Sequence, residues 1–217
     1  YQIWNEPNLW YEWGGHGKMS ATGYTALLKA SYTAIKAADP QAVIIGGDMT
    51  PTGVNDGNIA IDDLTFLQQM YQAGAKPYFD VLGAHAAGYG HAPGAAPGSD
   101  PAHTDHSFYF RRIEALRNTM VLNGDSGKQM WLTEFGWTID NVNPDYSWYH
   151  VDQQTQANYL VQAYQLGKSY PWMGRMSVWN FNFAWMSPPP DEKSFWSIMN
   201  PDHTPRQAYA SLQAMPK

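Results

Sequence analysis

The stretch YQIWNEPNLW, residues 1–10, places Glu6 directly after an apolar, β-prone run. The stretch KQMWLTEFGW, residues 128–137, places Glu134 in the same way, in a chain that has only five glutamates. A buried ionisable group is costly unless it is paired or functional. The two glutamates are therefore candidates for a catalytic carboxylate pair, and the alternative is that a salt-bridge network holds them.

The composition indicates a folded domain. The 217 residues are 44% hydrophobic and 15% charged, which argues against disorder, and the length suits a single domain spanning residues 1–217. The net charge is -6, and no basic run exceeds the pair Arg111–Arg112, so nucleic-acid binding is not expected. No apolar stretch approaches the roughly 20 residues of a membrane span. Cysteine is absent, which excludes disulfides, thiol nucleophiles and zinc–thiolate sites.

Short apolar runs alternate with longer amphipathic segments along the chain. The runs are continuous rather than alternating, as expected for parallel strands buried on both faces, and they are YQIWN (1–5), AVIIGG (42–47), FDVLGAH (79–85), KQMWLTE (128–134) and RMSVWNF (175–181). The spacing between strand starts is that of a βα unit with variable loops. These units form either an open doubly wound sheet or part of an eight-stranded barrel. No G-x-G-x-x-G follows a strand, so dinucleotide binding has no support.

Helical spacing of apolar residues separates the strands. The first helix contains Tyr24, Leu28 and Ile35 and stops at Asp39–Pro40. The other helices are predicted at about 62–73, at 109–123, at 152–167 and at 204–215. Pro205 is placed in the first turn of the last helix, where proline is tolerated.

The two glutamates suit the cleavage of glycosidic bonds. In a (β/α) barrel the carboxyl ends of the strands form the active-site face, and both residues end a predicted strand. Glycoside hydrolysis needs one carboxylic acid to protonate the leaving oxygen and a second carboxylate to attack the anomeric carbon or to activate water.

The motif IWNEPN, followed much later by WLTEFGW, resembles glycoside hydrolase clan A, the retaining (β/α)8-barrel enzymes. The segments GYTALLKASYTAIKAADPQAVIIGG and FWSIMNPDHTPRQAYASL are most similar to family 39, with family 5 second. The resemblance covers essentially the whole chain. It implies an α/β fold of the TIM-barrel type that is incomplete, with strands 4–8 and their helices present and strands 1–3 missing.

The resemblance also implies residue roles. Glu6 corresponds to the acid/base at the fourth barrel strand and Glu134 to the nucleophile at the seventh. Asn5 would bind the sugar 2-hydroxyl, Trp179 would lie under the sugar at the cleavage point, and His85 matches a sugar-contacting residue. The sequence HAAGYG departs from the commoner His-x-Tyr form, which leaves the role of Tyr89 open. Aromatic residues in loops after strands, among them Trp10 and Trp137, are expected to stack on sugar rings or to pack in the core.

The predicted activity is that of a retaining glycosidase acting on a β-linked oligo- or polysaccharide, with no cofactor. The alternative is a non-catalytic carbohydrate-binding protein on the same scaffold. A five-stranded remnant would expose two strand edges. We therefore expect the chain to be a fragment, or to complete its barrel with a missing N-terminal segment or a second copy.

The sequence HTDH, residues 103–106, follows a long loop, AAGYGHAPGAAPGSDPAHTDH (86–106), that is rich in Gly, Ala and Pro. His103, Asp105 and His106, with His91 nearby, are residue types that bind metals. The alternative is a helix start capped by Thr104 or Asp105. The second interpretation is favoured because the chemistry implied by the resemblance needs no metal, so no metal site is predicted.

Overall fold

A computed structural model describes residues 1–216 of the chain. Its centre is a sheet of four parallel strands in the order β1-β2-β3-β4, which are β1 (Ile45–Met49), β2 (Val81–Ala87), β3 (Met130–Gly136) and β4 (Met173–Val178). Each strand pairs with the next one along the chain, so the strand order never reverses. That order is the order of a barrel wall and not of a doubly wound sheet. The predicted α/β fold of the incomplete-barrel type is confirmed.

Helices connect the strands, as the apolar spacing predicts. The helices are α1 (Ala21–Ala38), α2 (Asp63–Gln72), α3 (Arg112–Leu122), α4 (Gln153–Ser169), α5 (Phe183–Met186), α6 (Lys193–Trp196) and α7 (Gln207–Ala214), with 3-10 turns at Lys76–Tyr78 and Pro144–Tyr146. Polar caps fix several helix starts. Ser20 accepts a hydrogen bond from the Gly23 N–H, and Asp152 accepts one from the Thr155 N–H, which satisfies donors that have no partner within the helix.

Three sequence predictions about element ends are wrong. Residues 1–5 form no strand but one parallel bridge, between Gln2 and Ile45, because Trp4 and Glu6 have positive φ angles of 69° and 42° that cannot continue a ladder. The last helix begins after Pro205, at Gln207. Asp105 does not cap a helix, because it accepts from the Ser107 N–H in a turn and α3 begins only at Arg112.

The core lies between the sheet and the helices. Leu28 of α1, Phe66 of α2, Leu116 of α3 and Leu160 of α4 are buried in one cluster with the strands. Burial of such side chains contributes roughly 1.5–3 kcal/mol each, so this cluster is the main source of stability. No helix within residues 1–216 combines the length and the apolarity that crossing a membrane requires.

Candidate active site

A cleft of about 650 Å³ lies at the carboxyl ends of the strands. Its lining includes Glu6, Glu134, His85 and Asn5, and so brings together four of the residues that the sequence singles out. They come from segments that are far apart in the chain and meet only because parallel strands end at the same edge of a sheet.

Glu6 is held by the backbone of the first sheet strand. Its N–H donates to the Asp48 carbonyl at 3.1 Å, and its own carbonyl accepts from the Leu9 N–H at 3.0 Å. Asn8, which is fully buried, fastens the same turn: its amide donates to the carbonyls of Thr50 at 2.8 Å and Ile61 at 3.0 Å and accepts from the Thr50 N–H at 3.2 Å. The turn that carries Glu6 is therefore fixed on both sides.

Glu134 and His85 are paired neighbours on β3 and β2. His85 Nδ1 lies 2.9 Å from Glu6 Oε1 and 3.8 Å from Glu134 Oε2. The 2.9 Å and 3.8 Å distances to this shared nitrogen place the two carboxylate oxygens no more than about 6.7 Å apart, near the separation of about 5–5.5 Å in retaining glycosidases. The two carboxylates face one another across a single histidine.

Burial and neighbouring charges determine the protonation of this group. Burial raises the pKa of Glu134, His85 lowers it, and the charges of Glu6 and Glu12 raise it. For His85, burial lowers the pKa, but the hydrogen bond to Glu6 and the charges of Glu134 and Asp48 outweigh burial and raise it overall. A positive charge on His85 is therefore stabilised between acidic groups.

Asp48, whose carbonyl oxygen accepts from the Glu6 N–H, was not predicted as a site residue, because it lies one residue beyond the apolar run AVIIGG (42–47). It is the unpaired residue of a bulge in β1, with φ 50°, and Thr133 is the unpaired residue of a bulge in β3. The Thr133 hydroxyl donates to Asp48 Oδ1 at 2.7 Å. The side chains meet across Gly83 of β2, where a Cβ atom would collide with the Asp48 carboxyl group. The two bulges thus join β1, whose backbone holds Glu6, to β3, which carries Glu134.

Asp48 is completely buried and its Oδ2 atom has no hydrogen-bond partner within the described residues. Burial raises the pKa of Asp48 to about 6, while the Thr133 hydrogen bond and the charge of His85 lower it and that of Glu134 raises it. His85 Nε2 is likewise buried without a partner in the described chain. Asp48 and the cleft-lining His85 thus each have one buried polar atom that has no partner from residues 1–216.

Aromatic side chains form much of the cleft wall. Trp179 follows β4, lines the cleft and packs against Phe183 at 5.0 Å between ring centroids. Tyr89 also lines the cleft, and its ring stacks on Trp148 at 5.8 Å with an interplanar angle of 9°. The remaining aromatic lining residues are Tyr11, Phe135, Tyr146, Tyr149 and Trp196. Flat rings of this kind offer apolar faces with polar edges, which suits contact with a sugar ring.

Trp10 and Trp137 do not lie in the cleft wall. Trp10 stacks on His16 at 3.9 Å and is not a lining residue. Trp137 is completely buried, stacks on Phe110 at 5.9 Å and donates its indole N–H to the His91 carbonyl at 2.9 Å. Side chains along β3 alternate between its two faces, and Trp137 falls on the core side with Phe135. Its place after a strand in the sequence could not distinguish the core from the cleft.

Two further glutamates line the cleft and were not singled out from the sequence. With Glu12 and Glu192, four of the five glutamates in the chain line the cleft. Lys193, which follows Glu192, lines it as well. Burial raises the pKa of both carboxyl groups, and the Trp196 indole, which donates to Glu192 Oε2 at 2.9 Å, opposes the rise at Glu192. Neither residue directly follows an apolar, β-prone run, which is the sequence feature that identified Glu6 and Glu134.

The residues weighed as metal ligands are only partly brought together. His91, Asp100 and His103 form a cluster whose ligand atoms lie within 4.8 Å of one another, whereas Asp105 and His106 are not part of it. Asp100 was not considered from the sequence, because it lies apart from the HTDH motif.

The fold is similar to solved structures of glycoside hydrolases. A family 39 glycoside hydrolase from the gut symbiont Bacteroides cellulosilyticus WH2 matches over 99% of this chain and 40% of its own, with 21% identity and a TM-score of 0.65. A monomeric β-xylosidase from Caulobacter crescentus CB15 matches over 98% of this chain and 41% of its own, with 20% identity and a TM-score of 0.65.

A third match is a family 128 endo-β-1,3-glucanase from Sorangium cellulosum, with 16% identity, a TM-score of 0.64 and coverage of 98% of this chain and 68% of its own. No protein-family model matches the sequence, and neither does any curated protein. The chain spans about 40% of the length of the family 39 structures it matches. The expected resemblance to family 39 is confirmed at the level of the fold.

Proposed function

We propose that this chain carries the catalytic carboxylates of a retaining glycoside hydrolase that cleaves a β-linked glycan. The observation that carries the proposal is the convergence of Glu6 and Glu134 on one nitrogen of His85 in a single cleft. Their nearest oxygens are no more than about 6.7 Å apart, a limit that includes the separation of about 5–5.5 Å at which a covalent glycosyl intermediate forms.

In the proposed mechanism Glu134 attacks the anomeric carbon while Glu6 gives its proton to the departing glycosidic oxygen. A glycosyl ester forms on Glu134. Glu6, now ionised, takes a proton from a water molecule that attacks the same carbon, which releases the sugar with its original configuration and returns both residues to their starting states. Asn5 and Trp179 are proposed to contact the sugar at the cleavage point, and His85 and Tyr89 to flank it.

The role of each glutamate follows from the resemblance to the clan A pattern, because His85 contacts both carboxylates and does not distinguish them. A nucleophile must be ionised, and burial at Glu134 works against that by raising its pKa. The charge of His85 acts in the opposite direction and lowers the pKa of Glu134. His85 also shares its Nδ1 atom with Glu6, so its proton links the two carboxylates electrostatically.

The cleft favours an uncharged glycan. Four glutamates and one lysine line it, so a substrate that carries carboxylates would meet repulsion. The names of the structural neighbours do not decide the charge of the sugar, because they include a β-xylosidase and an endo-β-1,3-glucanase but also a β-galacturonidase, so the proposal rests on the charges of the cleft. The spread of aromatic residues around the cleft supports internal cleavage of a polysaccharide more than action on a small xyloside.

We further propose that more polypeptide, from the same protein or from a second copy, completes the barrel around this cleft. The chain spans 40% of the family 39 neighbour, and the outer edge of β4 pairs with no further strand within residues 1–216. Closure of a barrel pairs such an edge, so the additional strands are expected to lie beside it.

The direct experiment compares three glutamate-to-glutamine variants on an aryl β-glycoside. Glu134→Gln and Glu6→Gln each remove one carboxylate, and we expect each to lower kcat/KM by at least about 10³-fold. Glu114→Gln is the control, because Glu114 lies outside the cleft, where it pairs with Arg111 and accepts from the Tyr170 hydroxyl. Unchanged turnover in the Glu134 variant would contradict the proposal and favour a non-catalytic carbohydrate-binding protein.

Rescue by azide separates the roles of the two glutamates. With Glu6→Ala, azide should attack the glycosyl-enzyme and give a β-glycosyl azide, because the intermediate on Glu134 still forms. With Glu134→Ala, azide should replace the nucleophile itself and give the α-glycosyl azide. The reverse pattern of products would exchange the two roles.

A further inference from the structure

Three side chains in the loop that follows β2 converge on one point outside the cleft. His91 Nε2 lies 3.2 Å from Asp100 Oδ2, and His103 Nδ1 lies 3.3 Å from the same oxygen. The three residues are half-buried, and within residues 1–216 the ion pairs of Asp100 are with these two histidines alone. The carboxylate thus has no lysine or arginine to balance its charge.

The hydrogen bond from His91 to a backbone carbonyl determines which ring nitrogen of His91 carries a hydrogen and which faces Asp100 with a lone pair. His91 Nδ1 lies 2.9 Å from the Phe108 carbonyl oxygen, which can only accept, so Nδ1 carries a hydrogen. Neutral His91 therefore has a lone pair on Nε2, and this lone pair faces the carboxylate of Asp100. Two acceptors at 3.2 Å repel each other unless a cation or an additional proton lies between them.

The distances suit a tetrahedral metal ion. For zinc bonds of about 2.0–2.1 Å, the edge of a tetrahedron between two ligand atoms is roughly 3.3–3.4 Å. The two measured edges, 3.2 Å and 3.3 Å, both to Asp100 Oδ2, are close to this value, and the third edge, between the two histidines, is limited to at most 4.8 Å. Two histidines and one carboxylate form a ligand set that zinc commonly uses, with a water molecule in the fourth position.

The residues around the cluster hold its ligands in place. A ligating histidine usually donates its other ring N–H to a carbonyl or carboxylate, as His91 does to Phe108. Asp100 Oδ1 accepts from the Ala102 N–H at 2.8 Å, which leaves Oδ2 for the cluster. The Tyr109 hydroxyl accepts from the Asp100 N–H and donates to the His103 carbonyl, both at 2.9 Å, so it joins the two ends of this short segment.

We infer that His91, Asp100 and His103 bind one zinc ion, which fastens the loop of residues 88–108 beside the cleft. The cluster is connected to the cleft wall by stacked rings: His103 stacks on Trp148 at 5.0 Å, and Trp148 stacks on Tyr89 at 5.8 Å. The site is separate from the proposed hydrolysis, since neither glutamate belongs to it. Two protonated histidines paired with Asp100 are the competing explanation, and they require no metal.

Metal titration of the purified protein tests the inference. After treatment with a chelator and removal of the chelator, isothermal titration with Zn²⁺ at pH 7.5 should give one site with a Kd at or below about 10 μM. Co²⁺ bound in place of zinc should give the strong visible absorption of a tetrahedral site. A hundredfold excess of Zn²⁺ over Kd should raise Tm by about 5–10 °C.

Variants locate the site. Asp100→Asn and His91→Gln should each weaken zinc binding at least about tenfold, and His106→Gln, which changes an exposed histidine of the same loop outside the cluster, should leave it unchanged. Should His91→Gln fail to fold, the Asp100 variant and the Co²⁺ spectrum of the unaltered protein decide the matter. Binding of less than half an equivalent, an octahedral Co²⁺ spectrum, or equal loss in the His106 variant would overturn the inference. None of these readouts depends on glycosidase activity.

Discussion

Replacing Asp48 by asparagine should change how the stability of the protein depends on pH. Asp48 is completely buried, accepts one hydrogen bond from Thr133 and has its second oxygen without a partner in residues 1–216. Asparagine has nearly the same shape and retains a carbonyl oxygen for Thr133, but it cannot ionise. The substitution therefore isolates the effect of the charge from the effect of the packing.

The size of the effect follows from the pKa of Asp48, which burial raises from 3.8 to about 6. An acid whose pKa is higher in the folded state binds its proton more tightly there, so folding is weakened as pH rises from about 4 to above 6. A shift of about 2 pKa units corresponds to about 3 kcal/mol. The free energy of unfolding of Asp48→Asn relative to the unaltered protein should therefore increase by about 3 kcal/mol between pH 4 and pH 7.5.

Urea unfolding at a series of pH values between 4 and 7.5 measures this difference. Burying the asparagine amide lowers the free energy of unfolding by the same amount at every pH. This constant does not affect the result, because the prediction concerns only how the difference between the two proteins changes with pH. Asp39→Asn, which removes an exposed carboxylate after α1, is the control and should shift the free energy of unfolding by no more than about 0.5 kcal/mol across the range. A difference for Asp48→Asn that is flat with pH, or that decreases as pH rises, would refute the reasoning.

The other predictions concern the elements around the cleft. Gly83→Ala should destabilise the protein by about 3 kcal/mol in urea unfolding, because the new Cβ collides with Asp48, whereas Gly127→Ala, which meets nothing within 4 Å, should be nearly neutral. Asn8→Ala should lower the free energy of unfolding by about 2–4 kcal/mol and reduce kcat, since it frees the turn that carries Glu6. A glycan bearing uronic acids should be cleaved with a kcat/KM roughly tenfold below that of its neutral counterpart at low salt, because the cleft is acidic. Added salt should reduce this difference in kcat/KM by screening the charges. Equal kcat/KM values at low salt would contradict the expected repulsion.

The repeating part of the fold is predictable from the sequence because it depends on local patterns. The apolar spacing of α1 and the stop at Asp39–Pro40 place that helix within a few residues of its observed bounds, and the helix predicted at about 62–73 is observed as α2, Asp63–Gln72. The strand starts and their parallel order follow from the alternation of segments. The first predicted strand failed because positive φ angles at Trp4 and Glu6 depend on tertiary contacts that no periodicity reveals.

The candidate site is predictable where a residue follows a predicted apolar run. Glu6, Glu134 and His85 end or follow such runs and do lie together in the cleft. Asp48 was missed because it lies beyond the run 42–47 and its direction comes from a bulge, which no local pattern reveals. Trp137 was expected among the sugar contacts because an aromatic residue after a strand has the same sequence signal whether it enters the core or the cleft.

The central claim, that Glu134 is the nucleophile of a double displacement, is tested most directly by trapping the intermediate. A 2-fluoro glycosyl inactivator should label the complete enzyme once, and peptide mapping should place the label on Glu134. Slow release of the label should restore activity, because the trapped species is the glycosyl ester of the normal reaction. No label under conditions that permit turnover, or a label on any residue other than Glu134, would contradict the account.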